Sequence, residues 1–302
     1  MANFIVIACL LFTFVIVIKS QVPGLVKAYN CECGVSKLGS RVYGGRNARS
    51  GRHPWMASLI TIFPSGGYHA GCGGSLVNDR YVLTAAHCIP KDKLELSRMI
   101  IGLGGISTAD IVAKKQYYEV EHVVVHEGYD DNPRSPNYVS NDIAIIKLRK
   151  PAPIYGNSEV TPICLPPNDM PDIESGTLIA TGYGYNGTTT LGQLQGSSQR
   201  ILQEVELRAY SQRMCERYWG RYKPNIQICA GTTDKSVCAG DSGGPLSTSM
   251  NGRSYQVGIA SFVDGECSQQ HRPAVFVRVQ AYNNWIYNQI KDGFWCSKSM
   301  SY

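Results

Sequence analysis

The chain has 302 residues, 43% hydrophobic and only 17% charged, so it can bury a sizeable core and is not a disordered or solvating protein. Its net charge of +6 is thinly spread, and the densest basic run, Arg213, Arg217, Arg221 and Lys223, is too sparse for nucleic-acid binding and reads as a solvated face. Eleven cysteines point to an oxidising compartment.

Residues Phe4 to Ile18 form an apolar run broken only by Thr13. It falls short of the roughly 20 residues that span a bilayer. With Lys19-Ser20-Gln21 behind it, the run reads as a secretory signal peptide over 1–20, an uncleaved anchor being the minority reading. No other stretch is apolar enough to enter a membrane, so no membrane partner is expected. Cleavage removes Cys9 and leaves an even number of cysteines, suggesting up to five disulfides. Residues 21–41 carry Cys31 and Cys33 without sustained periodicity, like a tethered pro-segment.

From Val42 onward short β-like runs alternate with Gly, Pro, Asn and Asp. Trp55–Ile60, Tyr81–Thr84, Val120–Val125, Ile143–Leu148, Glu204–Arg208, Val257–Phe262 and Ala274–Val279 are predicted strands. Only Gln280–Lys291 is predicted helical, with Tyr282, Trp285, Ile286 and Ile290 on one face. Many short strands without intervening helices favour barrels or a sandwich. A break near Pro151-Ala152-Pro153 divides the strand-rich region into about 42–150 and 151–292, with 293–302 as a tail.

Three stretches carry candidate chemistry. Thr84-Ala85-Ala86-His87-Cys88 puts a histidine just after a strand; Asn141-Asp142-Ile143-Ala144 puts a carboxylate at the mouth of an apolar strand; Gly240-Asp241-Ser242-Gly243-Gly244-Pro245 puts a serine in a tight turn. Singly, each has a plain reading as a structural or turn residue. Gly240-x-Ser242-x-Gly244 also fits the nucleophile elbow of α/β-hydrolases, with Asp264 and His271 following, but that fold alternates strands with helices.

Together, in the order His, Asp, Ser, they resemble the chymotrypsin-like serine protease family. The likeness extends through Cys72-Gly73-Gly74-Ser75-Leu76, Thr181-Gly182-Tyr183-Gly184 and the terminal Trp285-Ile286 segment, covering about Arg41 to Lys291. It implies an all-β fold of two six-stranded antiparallel β-barrels with a C-terminal α-helix. It further implies His87, Asp142 and Ser242 as the catalytic triad, with the N–H groups of Gly240 and Ser242 as oxyanion-hole donors and Ser261 beside the triad carboxylate. A serine hydroxyl is a poor nucleophile until a neighbouring base removes its proton, which is why histidine and carboxylate accompany it.

The resemblance also makes Arg41-Val42-Tyr43 an activation site, the new Val42 amine pairing with Asp241 after cleavage; Tyr43 departs from the family pattern. The specificity pocket would be formed by Ser236 at its floor, with Val237, Ser261, Val263 and Ala274. No acid stands at the floor, and Val263 and Ala274 replace glycines of open pockets, so small aliphatic residues are expected before the cut, as in elastases; a slot for Phe or Tyr is the rival. The implied disulfides are Cys72–Cys88, Cys215–Cys229 and Cys238–Cys267, with Cys164 joining a pro-segment cysteine; whether Cys31 or Cys33 takes it, and Cys296 the other, stays open. Asn186-Gly187-Thr188 is an N-glycosylation sequon. The Ile101–Lys115 stretch offers only Asp110 where the family's calcium loop needs paired acids, and no zinc motif occurs, so neither metal nor cofactor is expected. The expected product is a secreted, extracellular monomer. Its partners would be protein or peptide substrates, an upstream trypsin-like activating protease and protein inhibitors. A non-catalytic binding protein on the same scaffold is the reading from another class.

Overall fold

A computed structural model describes residues 28–29, 31–37, 46–155, 159–171, 173, 176–184, 189–190, 193–194, 201–232, 237–238, 240–263 and 272–296. Strands β1 (Met56–Ile62), β2 (Tyr68–Leu76), β3 (Tyr81–Thr84), β4 (Met99–Leu103), β5 (Tyr117–Val125) and β6 (Ala144–Leu148) close a barrel in the order β1-β2-β3-β6-β5-β4. Strands β7 (Thr177–Gly182), β8 (Gln203–Ala209), β9 (Gln227–Gly231), β10 (Pro245–Met250), β11 (Arg253–Phe262) and β12 (Ala274–Arg278) follow. They run β7-β8-β9-β12-β11-β10, and the β7–β10 pairing closes that ring too. Both rings are antiparallel and share one strand order, so the second repeats the first.

Alternation of side chains explains why β3 and β6 are buried nearly throughout. Their register pairs Val82 with Ile146 and Leu83 with Ile145. Val82 and Ile146 join a cluster with Leu59, Ile101 and Leu148, whereas Leu83 and Ile145 face a second cluster. That second cluster takes in Ile259 and Val277 of the other barrel and Ile286, and so welds the barrels together. Leu178, Leu207, Leu246 and Phe276 form the separate core of the second barrel.

The predicted strands all appear, and β2, β4, β7, β9 and β10 are additional. Helices are also more numerous than predicted: α1 (Lys93–Ser97), α2 (Thr108–Ala113) and α3 (Gln212–Tyr218) precede α4 (Asn283–Gln289). The first three are too short to show a hydrophobic period; α1 and α2 are started by side chains, Asp92 accepting from Glu95 N–H and Ser107 from Asp110 N–H. The terminal helical segment begins as a 3-10 turn over Val279–Tyr282; Tyr282, Ile286 and Ile290 are buried as the periodicity indicated, Trp285 of the same expected face is only partly buried, and Val279 and Asn283 are buried as well. Among the described residues no helix is long and apolar enough to cross a membrane.

The segment 31–37 is built into the fold. Cys31 is bonded to Cys296 and Cys33 to Cys164, which settles the pairing left open by the sequence. Gly34 N–H donates to Pro162 O at 2.7 Å, and its carbonyl accepts from Ser254 N–H at 2.9 Å. Residues Trp295–Cys296 pair in parallel with Ala28–Tyr29 and are buried, so this part of the expected tail is anchored. Cys72–Cys88 and Cys215–Cys229 form as expected. Cys238 is disulfide-bonded, while its expected partner Cys267 lies outside the described residues, as do Arg41, Val42, Asn186, Ser236, Asp264 and His271.

Candidate active site

His87 sits in the single 3-10 turn Ala86–Cys88 that follows β3. The turn is stapled to β2 by Cys72–Cys88, a loop of 16 residues in sequence. Thr84 Oγ1 donates to Gly73 O at 2.8 Å, so strand and turn are fixed on both sides of the histidine.

Asp142 lies just before β6 and is fully buried. A buried carboxylate must be satisfied by donors, and three reach it. His87 N–H donates to Oδ1 at 2.9 Å, the His87 Nδ1 is 2.7 Å from Oδ2, and the Ser261 hydroxyl donates to Oδ2 at 2.6 Å. With Nδ1–H directed at the carboxylate, the other ring nitrogen is left to accept a proton. The preceding Asn141 adopts a left-handed φ of 54°. Its amide donates to Gly128 O at 2.7 Å and its carbonyl oxygen accepts from Tyr282 OH at 2.8 Å.

Ser242 is held in a turn between Gly240 (φ 94°) and Gly243 (φ 76°), immediately ahead of β10. A Cβ on Gly243 would lie 2.2 Å from Thr84 Oγ1 and 2.5 Å from Gly73 O, so only glycine lets the turn settle onto the first barrel. Gly73 N–H donates to Ser242 O at 2.8 Å, and Gly243 N–H to Ala260 O at 2.8 Å. The turn bearing the serine is thereby docked on the strands that carry the histidine. Among the described residues Ser242 Oγ has no hydrogen-bond partner, and His87 Nε2 lies 3.8 Å from Cys88 Sγ. Likewise the N–H groups of Gly240 and Ser242 make no hydrogen bond among the described residues, which leaves them as donors for an oxygen at this turn.

Asp241 points away from Ser242 toward the Thr181–Gly184 motif. Gly184 N–H donates to its Oδ1 and Cys238 N–H to its Oδ2, each at 2.8 Å. A Cβ on Gly182 or Gly184 would come within 2.1 or 2.5 Å of Oδ1, which explains the paired glycines of that motif.

Of the expected pocket residues, Val237 and Ala274 are buried in the second-barrel core and Val263 packs against it. Cys72 and Cys88 lie close to His87, but their sulfurs are bonded to each other and offer no thiolate to a metal ion. Sequence reasoning missed an aromatic cleft of about 570 Å³ running from His87 past Ser261, Phe262 and Val263. Tyr129, Tyr138, Val139, Trp219 and Arg221 also line it. These residues come from two distant loops and share no sequence spacing that could have flagged them.

The family model described as Trypsin matches residues 42–286. "CLIP domain-containing serine protease B10" of Anopheles gambiae is 34% identical over 286 residues, 89% of this chain and 75% of that protein. "Chymotrypsin-like elastase family member 1" of Canis lupus familiaris is 36% identical over 262 residues, 85% of this chain and 95% of its own. A solved structure of neuropsin, a serine protease of mouse brain, superposes with a TM-score of 0.64 at 31% identity, covering 82% of this chain and 98% of that one.

Proposed function

Since the chain belongs to the trypsin family and is a serine endopeptidase, we propose that His87, Asp142 and Ser242 are its catalytic triad. The observation that carries this reading is the buried Asp142, which grips both the main chain and the ring of His87 while Ser242 is docked onto the same strands. Ser242 Oγ attacks the scissile carbonyl carbon as its proton passes to His87 Nε2. Asp142 holds the ring and stabilises the imidazolium. The carbonyl oxygen, now negative, is met by the N–H groups of Gly240 and Ser242; one such donor typically contributes about 3–4 kcal/mol. His87 then protonates the leaving amine, the C–N bond breaks, and water activated by His87 hydrolyses the acyl-enzyme.

The finer reading is a secreted zymogen, with a signal peptide over 1–20, a pro-segment over 21–41 and a protease domain over 42–292. Cleavage after Arg41 frees the Val42 amine to pair with Asp241 and order the turn holding Gly240 and Ser242. Preference for Ala or Val before the cut is supported by the non-acidic Ser236 and by Val263 and Ala274 in place of glycine, with Phe or Tyr as the rival choice. An enzyme that rejects Arg does not efficiently cut its own Arg41, so a separate trypsin-like protease activates it. Protein inhibitors, a glycan on Asn186 and a monomeric state complete the proposal.

The test is hydrolysis of peptides ending in Ala, Val, Phe or Arg after cleavage at Arg41. Ser242→Ala should lower turnover by about four orders of magnitude or more, with labelling by phosphonylating reagents abolished. Unchanged hydrolysis in that variant refutes the assignment, and self-activation of pure zymogen refutes the small-pocket reading.

A further inference from the structure

The first barrel is closed by a short seam. Strand β5 pairs with β4 only over Tyr117–Glu119, whereas its pairing with β6 continues to Val125. From Glu121 onward one edge of β5 faces no strand among the described residues. Backbone alternation decides which groups lie on that edge. His126 N–H donates to Ile143 O at 3.1 Å, so Val124 and Ile145 are the next pair to exchange bonds across the ladder. The N–H and C=O groups of Val123 and Val125 then turn away from β6, and they make no hydrogen bond outside the ladder among the described residues. An unpaired edge of this kind is a template for another chain.

The same stretch of β5 lines a groove of about 940 Å³, to which Val120 and Val123 contribute together with Leu96, Met99 and Ile100. Its charges do not balance. Glu119 is paired with Arg149 at 3.1 Å and Glu121 with Lys147 at 2.9 Å. Lys93 and Arg98 also line the groove and form no ion pair among the described residues, so the spare charge is positive. A second copy of this chain would bring the same cations and the same Glu121 to the edge. The surplus therefore favours a foreign segment that carries carboxylates.

We propose that this groove is a docking site for an extended, acidic and apolar segment of another protein, which adds to β5 as a further strand. The segment exchanges hydrogen bonds with Val123 and Val125 and sets its carboxylates against Lys93 and Arg98. Alternate side chains of such a strand lie about 7 Å apart on one face, so apolar groups can rest on Leu96 and Val120 while the others reach the cations. The groove shares no lining residue with the aromatic cleft beside His87. It holds a partner without filling that cleft, and the proposal does not depend on the protease reading.

The test probe is an acetylated, amidated heptapeptide alternating Asp and Val, with one alternating Lys and Val as control. In the free protein the amides of Val123 and Val125 should exchange with solvent much faster than that of Val124. Saturating acidic probe should slow both outward amides about tenfold or more and leave Val124 unchanged. By calorimetry, the Lys93→Gln, Arg98→Gln double variant, altered only in surface side chains, should bind the probe about tenfold more weakly. Val125→Pro removes an N–H that the barrel does not use and should weaken binding about fivefold. No saturable binding, equal binding of the Lys probe, or binding that leaves Val123 and Val125 unprotected would overturn the proposal. Concentration-dependent protection of those amides without probe would overturn it in favour of pairing between two copies.

Discussion

His53 shows how one side chain links burial to pH. It stands just before β1, only 8% exposed, with Nε2 at 2.7 Å from Glu204 Oε2, an oxygen that also accepts from Arg52 Nε at 2.5 Å. Its ring meets Trp55 edge to face, and Nδ1 has no partner among the described residues. Desolvation outweighs the attraction of Glu204, and Arg52 adds repulsion, so the folded pKa is held below the ordinary 6.5. In the unfolded chain the ring titrates near 6.5. On acidification the unfolded state therefore takes up its proton first, and the stability that neutral His53 contributes is full above that pH and lost as pH falls. Melting temperatures followed from pH 8 to 5 should drop more steeply in the wild type than in His53→Gln, which keeps a donor for Glu204 without titrating. Parallel curves would remove His53 from the acid sensitivity.

Helix α4 reaches the site through a single bond. Ile286 and Ile290 are buried against both barrels, which fixes Tyr282 at the head of the helix, and Tyr282 OH holds Asn141 in the left-handed turn before Asp142. Tyr282→Phe removes that bond, worth about 1 kcal/mol, and should lower kcat/KM about fivefold for long and short substrates alike. A lowered melting temperature with unaltered kcat would reduce Tyr282 to a structural role. The helix itself was legible from its apolar spacing, and the strand after Asp142 from its unbroken Ile-Ala-Ile-Ile run. The strand on which Ser242 docks was not: β2 carries Gly71, Gly73 and Gly74, and glycine weakens any β signal. Likewise β10 opens on Pro245, a residue that argues against a strand unless it takes the strand's first position, as it does here. The motifs of the proposed triad stand out in the sequence because their chemistry restricts residue type. The cleft could not, because tyrosine, tryptophan and valine serve equally well in any core.

At the scale of the molecule, two rings with the same strand order meet along a shared apolar cluster, and the site forms where they meet. That duplication left no trace in the sequence, since strand order is conserved by packing and not by residue identity. The segment carrying Cys31 and Cys33, the proposed pro-segment, is the third part of this assembly. Cys33, fully buried, bonds to Cys164 between the barrels, and Cys31 bonds to Cys296 beside the parallel pair of Ala28–Tyr29 with Trp295–Cys296. The pairing could not be read because two cysteines separated by one residue are equally near any partner until the neighbouring strand register places one of them at the C-terminal end. Each bridge closes a loop of well over a hundred residues and stabilises by about 2–4 kcal/mol. Two independent anchors mean that cleavage after Arg41 should not release the segment, nor should loss of either bridge alone. Non-reducing mass spectrometry of the cleaved protein should show the segment retained in the Cys31→Ser, Cys296→Ser double variant and in the Cys33→Ser, Cys164→Ser one, and freed only when all four cysteines are replaced. Release from either double variant would show that one bridge carries the attachment by itself.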